Sequence, residues 1–252
     1  VEMLHNASLI HDDVIDESKM RRGLPTINSV WDNHIAVLIG DYFVSTSLGI
    51  AADTGDWRLV SSLARLGRML STGELDQIYN ARRHHLDEAS YFKVIYRKTA
   101  SLFVTCVEMG ASTAGAPADK IDAVRKVGEL LGLCFQIRDD IFDYLSDKQK
   151  IGKPTGNDLR EGKVTLPLLY ALTRTDHPLH EEMNALVRRE ELTTAEIDRL
   201  ISFAIEAGGI DYAYATMKRL CDEAEATLAT LPESNARNAF GSIMRYIIDR
   251  SH

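Results

Sequence analysis

Apolar residues recur at helical spacing along almost the whole chain, and two of the longest such runs close on the same acidic pattern, Asp12-Asp13-x-x-Asp16 and Asp139-Asp140-x-x-Asp143. No stretch shows a convincing strand-like alternation, so the periodicity predicts an all-α protein. On a helix Asp12 and Asp16 stand one turn apart on one face with Asp13 beside them, and the second triad repeats that arrangement. Three carboxylates so placed repel one another, and an exposed helix gains nothing from them. Something cationic must offset the repulsion, and hard oxygen ligands one turn apart suit Mg²⁺ shared with a phosphate. A lone triad reads equally well as a solvated acidic face. Two triads, each near the end of a long apolar helix, point to a common site.

The 252 residues are 45% hydrophobic and 26% charged, enough for one large core in a single domain. A formal net charge of -8 leaves no basic surplus for a nucleic-acid backbone, so any anion site is local. Cys106, Cys134 and Cys221 fall in helical runs without a CxxC spacing, which predicts buried thiols in a reducing cytoplasm. The apolar run from Ile35 to Val44 contains Gly40-Asp41, so no membrane span is expected. The chain opens in mid-pattern at Val1, with Met3, Leu4, Ala7, Leu9 and Ile10 already helix-periodic, and missing N-terminal helices are expected.

Taken in order, the first helix carries the first triad and ends before Arg21-Arg22-Gly23-Leu24-Pro25, where glycine and proline mark a loop. A long apolar helix is predicted from about Thr26 to Ala52, with Asp41 read as a partnered core residue. Asp56 caps a helix to about His85, within which Glu74 and Gln77 lie on neighbouring turns. Asp87 or Ser90 starts the helix carrying Lys98-Thr99, and Pro117 opens the long helix that leads into the second triad. A polar segment from Ser146 to Gly162, with Lys148, Lys150 and Lys153 followed by Lys163, suggests a lid over an anion. Beyond Thr165 the chain reads as shorter amphipathic helices, among them one opened by a Thr193/Glu196 capping box, that buttress the core.

Two facing triads could hold several Mg²⁺ ions around one diphosphate and draw it off as a leaving group by stabilising the charge that develops on its oxygen. The other fragment is then a carbocation, which an allylic substrate delocalises and a dry apolar cavity protects from water. The sequence offers no Ser-His-Asp set, no reactive Cys-His pair and no Gly-rich phosphate loop before a helix, so covalent and phosphoryl-transfer chemistry lack candidates.

The segments LIHDDVIDESKMRRGLPT, LIGDY, GELDQ, KTASLF, FQIRDDIFDY and GKPTGNDLREGKVTLP resemble the trans-isoprenyl diphosphate synthases, from the first residues to about Leu169. The resemblance implies an isoprenoid synthase fold, a bundle of long antiparallel helices around a deep central cavity. It also implies a reaction, the head-to-tail condensation of isopentenyl diphosphate with an allylic diphosphate. By the same resemblance Asp12, Asp16, Asp139 and Asp143 ligate Mg²⁺, with Asp13 and Asp140 assisting. Arg21, Lys98, Lys153 and Lys163 bind the allylic diphosphate, Arg22 reaches isopentenyl diphosphate, and Thr99 and Gln136 lie near the developing cation. The family's basic element upstream of the first triad is not in this chain.

Ala7 and Ser8, one turn before the first aspartate, are small where bulky aromatics stop chain growth in this family, which implies a long, octaprenyl-class product. Phe43, Phe103 or Met3 closing the cavity sooner would give geranylgeranyl or farnesyl diphosphate instead. Other readings are a terpene cyclase, an HD-type phosphohydrolase using His5, His11 and Asp12, and a non-catalytic subunit of a two-component synthase. A cytoplasmic homodimer whose product partitions into a membrane is the expected setting.

Overall fold

The computed structural model describes residues 1–145 and 156–249. Helix α1 (Glu2–Ile15) is followed by a two-stranded antiparallel hairpin, β1 (Met20–Arg21) and β2 (Leu24–Pro25). The sequence predicts only a loop there. The hairpin forms because Arg22 and Gly23 both take positive φ, 51° and 79°, which is the backbone of a tight two-residue turn. Helix α2 (Ile27–Val30) is short, and α3 (Asn33–Asp53) starts anew at Asp32, whose side chain accepts from the Ile35 N–H. The single helix predicted from Thr26 to Ala52 is therefore two.

Gly40-Asp41 does not interrupt α3. A Cβ on Gly40 would lie 2.2 Å from Nε2 of His11, so this glycine lets α3 approach α1. Asp41 is exposed, not a core residue, and pairs with His11 Nε2 at 3.4 Å. With a mean hydropathy of 1.7 in its most apolar window, α3 is long and apolar enough to cross a membrane by length and composition alone, a test that the core helix of a soluble protein passes as well. Ile35, Leu38 and Tyr42 form an exposed stripe along it at helical spacing.

Helix α4 (Trp57–Arg83) is capped by Asp56 and ends on His84 in the left-handed region. Helix α5 (Glu88–Ile95) is capped by Asp87, which accepts from Ser90 N–H at 2.9 Å. A π-turn (Tyr96–Ala100) joins it to α6 (Ser101–Thr113) and carries Lys98 and Thr99. Helix α7 (Ala118–Leu145) crosses α6 closely because Gly128 and Gly132, one turn apart, face it. A Cβ at Gly132 would meet Ala100 Cα at 2.4 Å.

The short helices α8 (Asn157–Arg160), α9 (Leu166–Ala171) and α10 (His180–Leu186) precede α11 (Thr194–Glu206), which has the expected Thr193/Glu196 capping box. Helices α12 (Gly209–Ala229) and α13 (Asn235–Asp249) complete the described chain. The larger core gathers α7 with α5, α9, α11 and α12 around Ile137, Ile141, Leu168 and Met217. A smaller one joins α1, α3 and α4 through Leu4, Ala51, Leu63 and Leu66. Cys134 and Cys221 are buried with Sγ atoms 3.5 Å apart, whereas Cys106 is exposed, against expectation.

Candidate active site

The first triad sits in the last turn of α1. Asp13 is buried and accepts from Arg21 Nε at 2.8 Å, so β1 delivers its arginine to the triad. Burial pushes the Asp12 carboxyl up to about 6, with Glu74 and Asp16 adding repulsion and Lys98 and Arg21 opposing it. Asp16 lies 3.8 Å from Lys163 Nζ. Arg22 is exposed on the hairpin turn.

The second triad lies near the end of α7. Asp140 is buried and accepts from the Tyr91 hydroxyl at 2.6 Å and from Gln136 Nε2 at 2.8 Å. Burial raises its pKa, and the charges of Asp139 and Asp143 add to the rise. Asp143 accepts backbone N–H groups of Asn157 and Asp158, each at 3.0 Å, and its own carbonyl accepts from Gly156 at 3.0 Å. It therefore anchors the start of α8 whatever else it binds. Replacing Asp143 by alanine is expected to release that anchor and lower the melting temperature by a few degrees, an effect that Asp143→Asn, with one acceptor oxygen kept, should halve. Thermal denaturation of the two variants checks this.

Lysines link the surroundings of the two triads, although Asp140 is the triad aspartate that lines the cavity between α4, α5 and α7. Lys98 pairs with Glu74, donates to Gln77 Oε1 at 3.2 Å and lies near Asp12. Lys163, whose pKa is raised, sits between Asp16 and Asp158, and Asp158 in turn feels Asp140 and Asp143. Thr99 Oγ1 donates to Gln136 Oε1 at 2.6 Å. A cavity of about 940 Å³ is lined by Lys98, Thr99, Gln136, Asp140 and Lys163 together with Tyr91. Ala7, fully buried, and Ser8, half-buried on α1, are not among its lining residues. Lys153, with Lys148 and Lys150, lies outside the described residues.

The candidate ligands are all carboxylate oxygens, the donor type that a hard divalent cation takes, and the raised Asp12 carboxyl is a position such a cation would stabilise. Among the described residues no three side chains converge into a ready metal-binding group. The carboxylates are spread around the cleft, with Asp13 held by Arg21 and Asp143 by backbone.

Residues 1–204 match the family model described as polyprenyl synthetase. The chain belongs to the polyprenyl synthetase family. It is 36% identical to the octaprenyl diphosphate synthase of Haemophilus influenzae, with 100% of this chain and 76% of that protein covered. The solved polyprenyl synthase of Caulobacter crescentus, complexed with calcium and isoprenyl diphosphate, superposes with a TM-score of 0.90 at 34% identity, covering 100% of this chain and 76% of that one. The geranylgeranyl pyrophosphate synthase of Bacteroides thetaiotaomicron superposes with a TM-score of 0.85 at 40% identity, covering 99% and 78%.

Sequence reasoning left Glu74 and Gln77 without a role and missed Tyr91 and Asp158. The GELDQ segment was the available signal for the first pair: its Gly73 has no room for a Cβ beside Arg97 and Lys98, which seats Glu74 and Gln77 against the lysine. Nothing local marks Tyr91, whose partner Asp140 lies 49 positions away.

Proposed function

We propose that this protein is a Mg²⁺-dependent prenyltransferase that condenses isopentenyl diphosphate head-to-tail with an allylic diphosphate to give a long-chain, octaprenyl-class all-trans product. The observation that carries the reading is that Lys98, Thr99, Gln136, Asp140 and Lys163 border one cavity, with Asp12 and Asp16 held beside the two lysines. Bound Mg²⁺ would neutralise charge on the departing diphosphate, held by Asp12, Asp16, Asp139 and Asp143.

The chain's own groups supply the rest. Lys98, Lys163 and Arg21, now paired with carboxylates, turn toward the diphosphate when it enters; the family resemblance assigns Lys153 to the same diphosphate and Arg22 to isopentenyl diphosphate. The oxygens of Thr99 and Gln136 face the cation left by C–O cleavage, and apolar walls such as Val94, Ile95 and Leu169 exclude water. The isopentenyl double bond attacks that cation, and the released diphosphate takes the proton lost from the adduct, so no protein base is required. Incubating the full-length protein with Mg²⁺ and both diphosphates tests the reading. Elongated prenyl diphosphate is expected; hydrocarbon release points to a cyclase instead, and no turnover points to a non-catalytic subunit.

Relatives such as the octaprenyl synthase support the long product, and so do the small side chains of Ala7 and Ser8 through the family resemblance, although neither lines the cavity; the geranylgeranyl synthase at 40% identity keeps the shorter one as the alternative. Ser8→Phe, at the half-buried position, is expected to shorten the product to geranylgeranyl diphosphate or below. An unchanged product length removes this helix as the ruler. Ala7→Phe is the less clean variant, because overpacking a fully buried site costs about 1–3 kcal/mol on its own.

The exposed stripe of Ile35, Leu38 and Tyr42 supports a homodimer in which a second copy covers α3. A cytoplasmic enzyme delivering its product to a membrane is the setting that fits such an arrangement.

A further inference from the structure

Four side chains from three elements form one continuous hydrogen-bonded chain. Tyr91 on α5 donates to Asp140 Oδ2 at 2.6 Å, and Gln136 Nε2 donates to Asp140 Oδ1 at 2.8 Å. Thr99 on the π-turn donates to Gln136 Oε1 at 2.6 Å. Tyr91 and Asp140 are buried, and all four border the same cavity.

The chain has a direction. Asp140 accepts on both of its oxygens, taking the Gln136 amide by its NH₂ end, and the amide oxygen is turned toward Thr99. That oxygen takes the threonine proton, and Thr99 Oγ1, which borders the cavity, keeps its lone pairs free to accept. An amide turned the other way would present NH₂ to Thr99, and the threonine would then point a proton outward. Electron-rich oxygen at this end stabilises a positive charge developing beside it, whereas an outward proton opposes it.

Asp140 is thus the pivot, and Tyr91 holds it. The carboxylate is buried, and the phenol fixes the oxygen that Gln136 does not bind, keeping the group in the rotamer that orients the amide. The Tyr91 ring is itself braced edge-on by Phe92, with centroids 5.4 Å apart. We propose that Tyr91 is a positioning residue that sets the polarity of Thr99 and Gln136 toward an allylic cation. The proposal rests on the prenyltransferase reading and adds to it a residue that never touches the reacting atoms.

A double-mutant cycle tests it on the full-length protein. Tyr91→Phe is expected to lower kcat by about tenfold to a hundredfold with KM for the allylic diphosphate unchanged. In a Thr99→Val background the same substitution is expected to change kcat less than twofold, and in a Thr99→Ser background the full loss should return. Binding supplies an independent readout through two diphosphate analogues of equal shape, one carrying an ammonium where the cation forms and one neutral. Tyr91→Phe should weaken the ammonium analogue about tenfold and leave the neutral one unchanged.

Equal losses of kcat in the wild-type and Thr99→Val backgrounds, or equal weakening of both analogues, would assign Tyr91 a purely structural role and overturn the proposal. Failure of the underlying reading looks different. The unsubstituted protein would then make no elongated diphosphate and bind the two analogues alike, and the proposal would fall with it.

Discussion

Replacing Asp12 by asparagine is expected to remove activity and to stabilise the metal-free protein. Asp12 has lysine, glutamate and aspartate neighbours, and under the proposed function losing its charge should lower kcat/KM by about a thousandfold, the scale of removing a group aimed at developing charge. Stability moves the other way. The folded carboxyl titrates at about 6 against an ordinary 3.8, because burial disfavours its charged form. The folded state therefore binds the proton more tightly than the unfolded chain. Below 3.8 both states are protonated and Asp12 costs nothing; the cost grows as pH rises from 3.8 to 6 and is complete above that. Its full size is about 2–3 kcal/mol. In the presence of chelator the Asp12→Asn variant should thus melt several degrees higher than the parent at pH 8 and together with it near pH 4. Equal melting temperatures at pH 8, or retained turnover, would contradict this account of Asp12.

Gly132→Ala is expected to cost both fold and function. Its new methyl would meet Ala100 Cα at 2.4 Å and Ala100 Cβ at 2.8 Å, and the first of these is backbone that cannot rotate aside. Helix α7 must move off the π-turn, at about 1–3 kcal/mol for an overpacked contact. The same movement separates Gln136, one turn further along α7, from Thr99, which precedes Ala100. Turnover should fall by about a hundredfold, comparable with losing one electrostatic stabiliser. Gly110→Ala in α6 is the control, since nothing lies within 4 Å of its added methyl. That change should be neutral or stabilise by up to about 1 kcal/mol through helix propensity. Circular-dichroism melting and steady-state rates on both variants separate the outcomes, and parallel behaviour of the two would sink the packing argument.

Much of this architecture is legible from residue types alone. Helix periodicity gives the class, and Asp56, Asp87 and the Thr193/Glu196 pair mark helix starts because short polar side chains satisfy N–H groups that the helix leaves unpaired. Both triads are visible because their spacing is local. What escapes is decided by contacts between distant segments. The π-turn has no residue-type signature, yet it places Lys98 and Thr99, in keeping with the habit of such turns to occur at functional sites. Gly40 reads only as an interruption of an apolar run, and it serves as a landing place for His11. Asp41 looks buried among apolar neighbours, but those neighbours themselves face outward. The hairpin at Arg22-Gly23 depends on a positive φ at an arginine, which composition does not announce.

The double acceptance by Asp143 bears on how α8 is held. Its carbonyl and carboxylate pin Gly156, Asn157 and Asp158 to the end of α7, so the departure and return of the chain between Leu145 and Gly156 are fixed together. Without that anchor α8 would hold to the end of α7 only through the covalent chain and its packing, so the position of Asp158 beside Lys163 depends on a residue of the second triad.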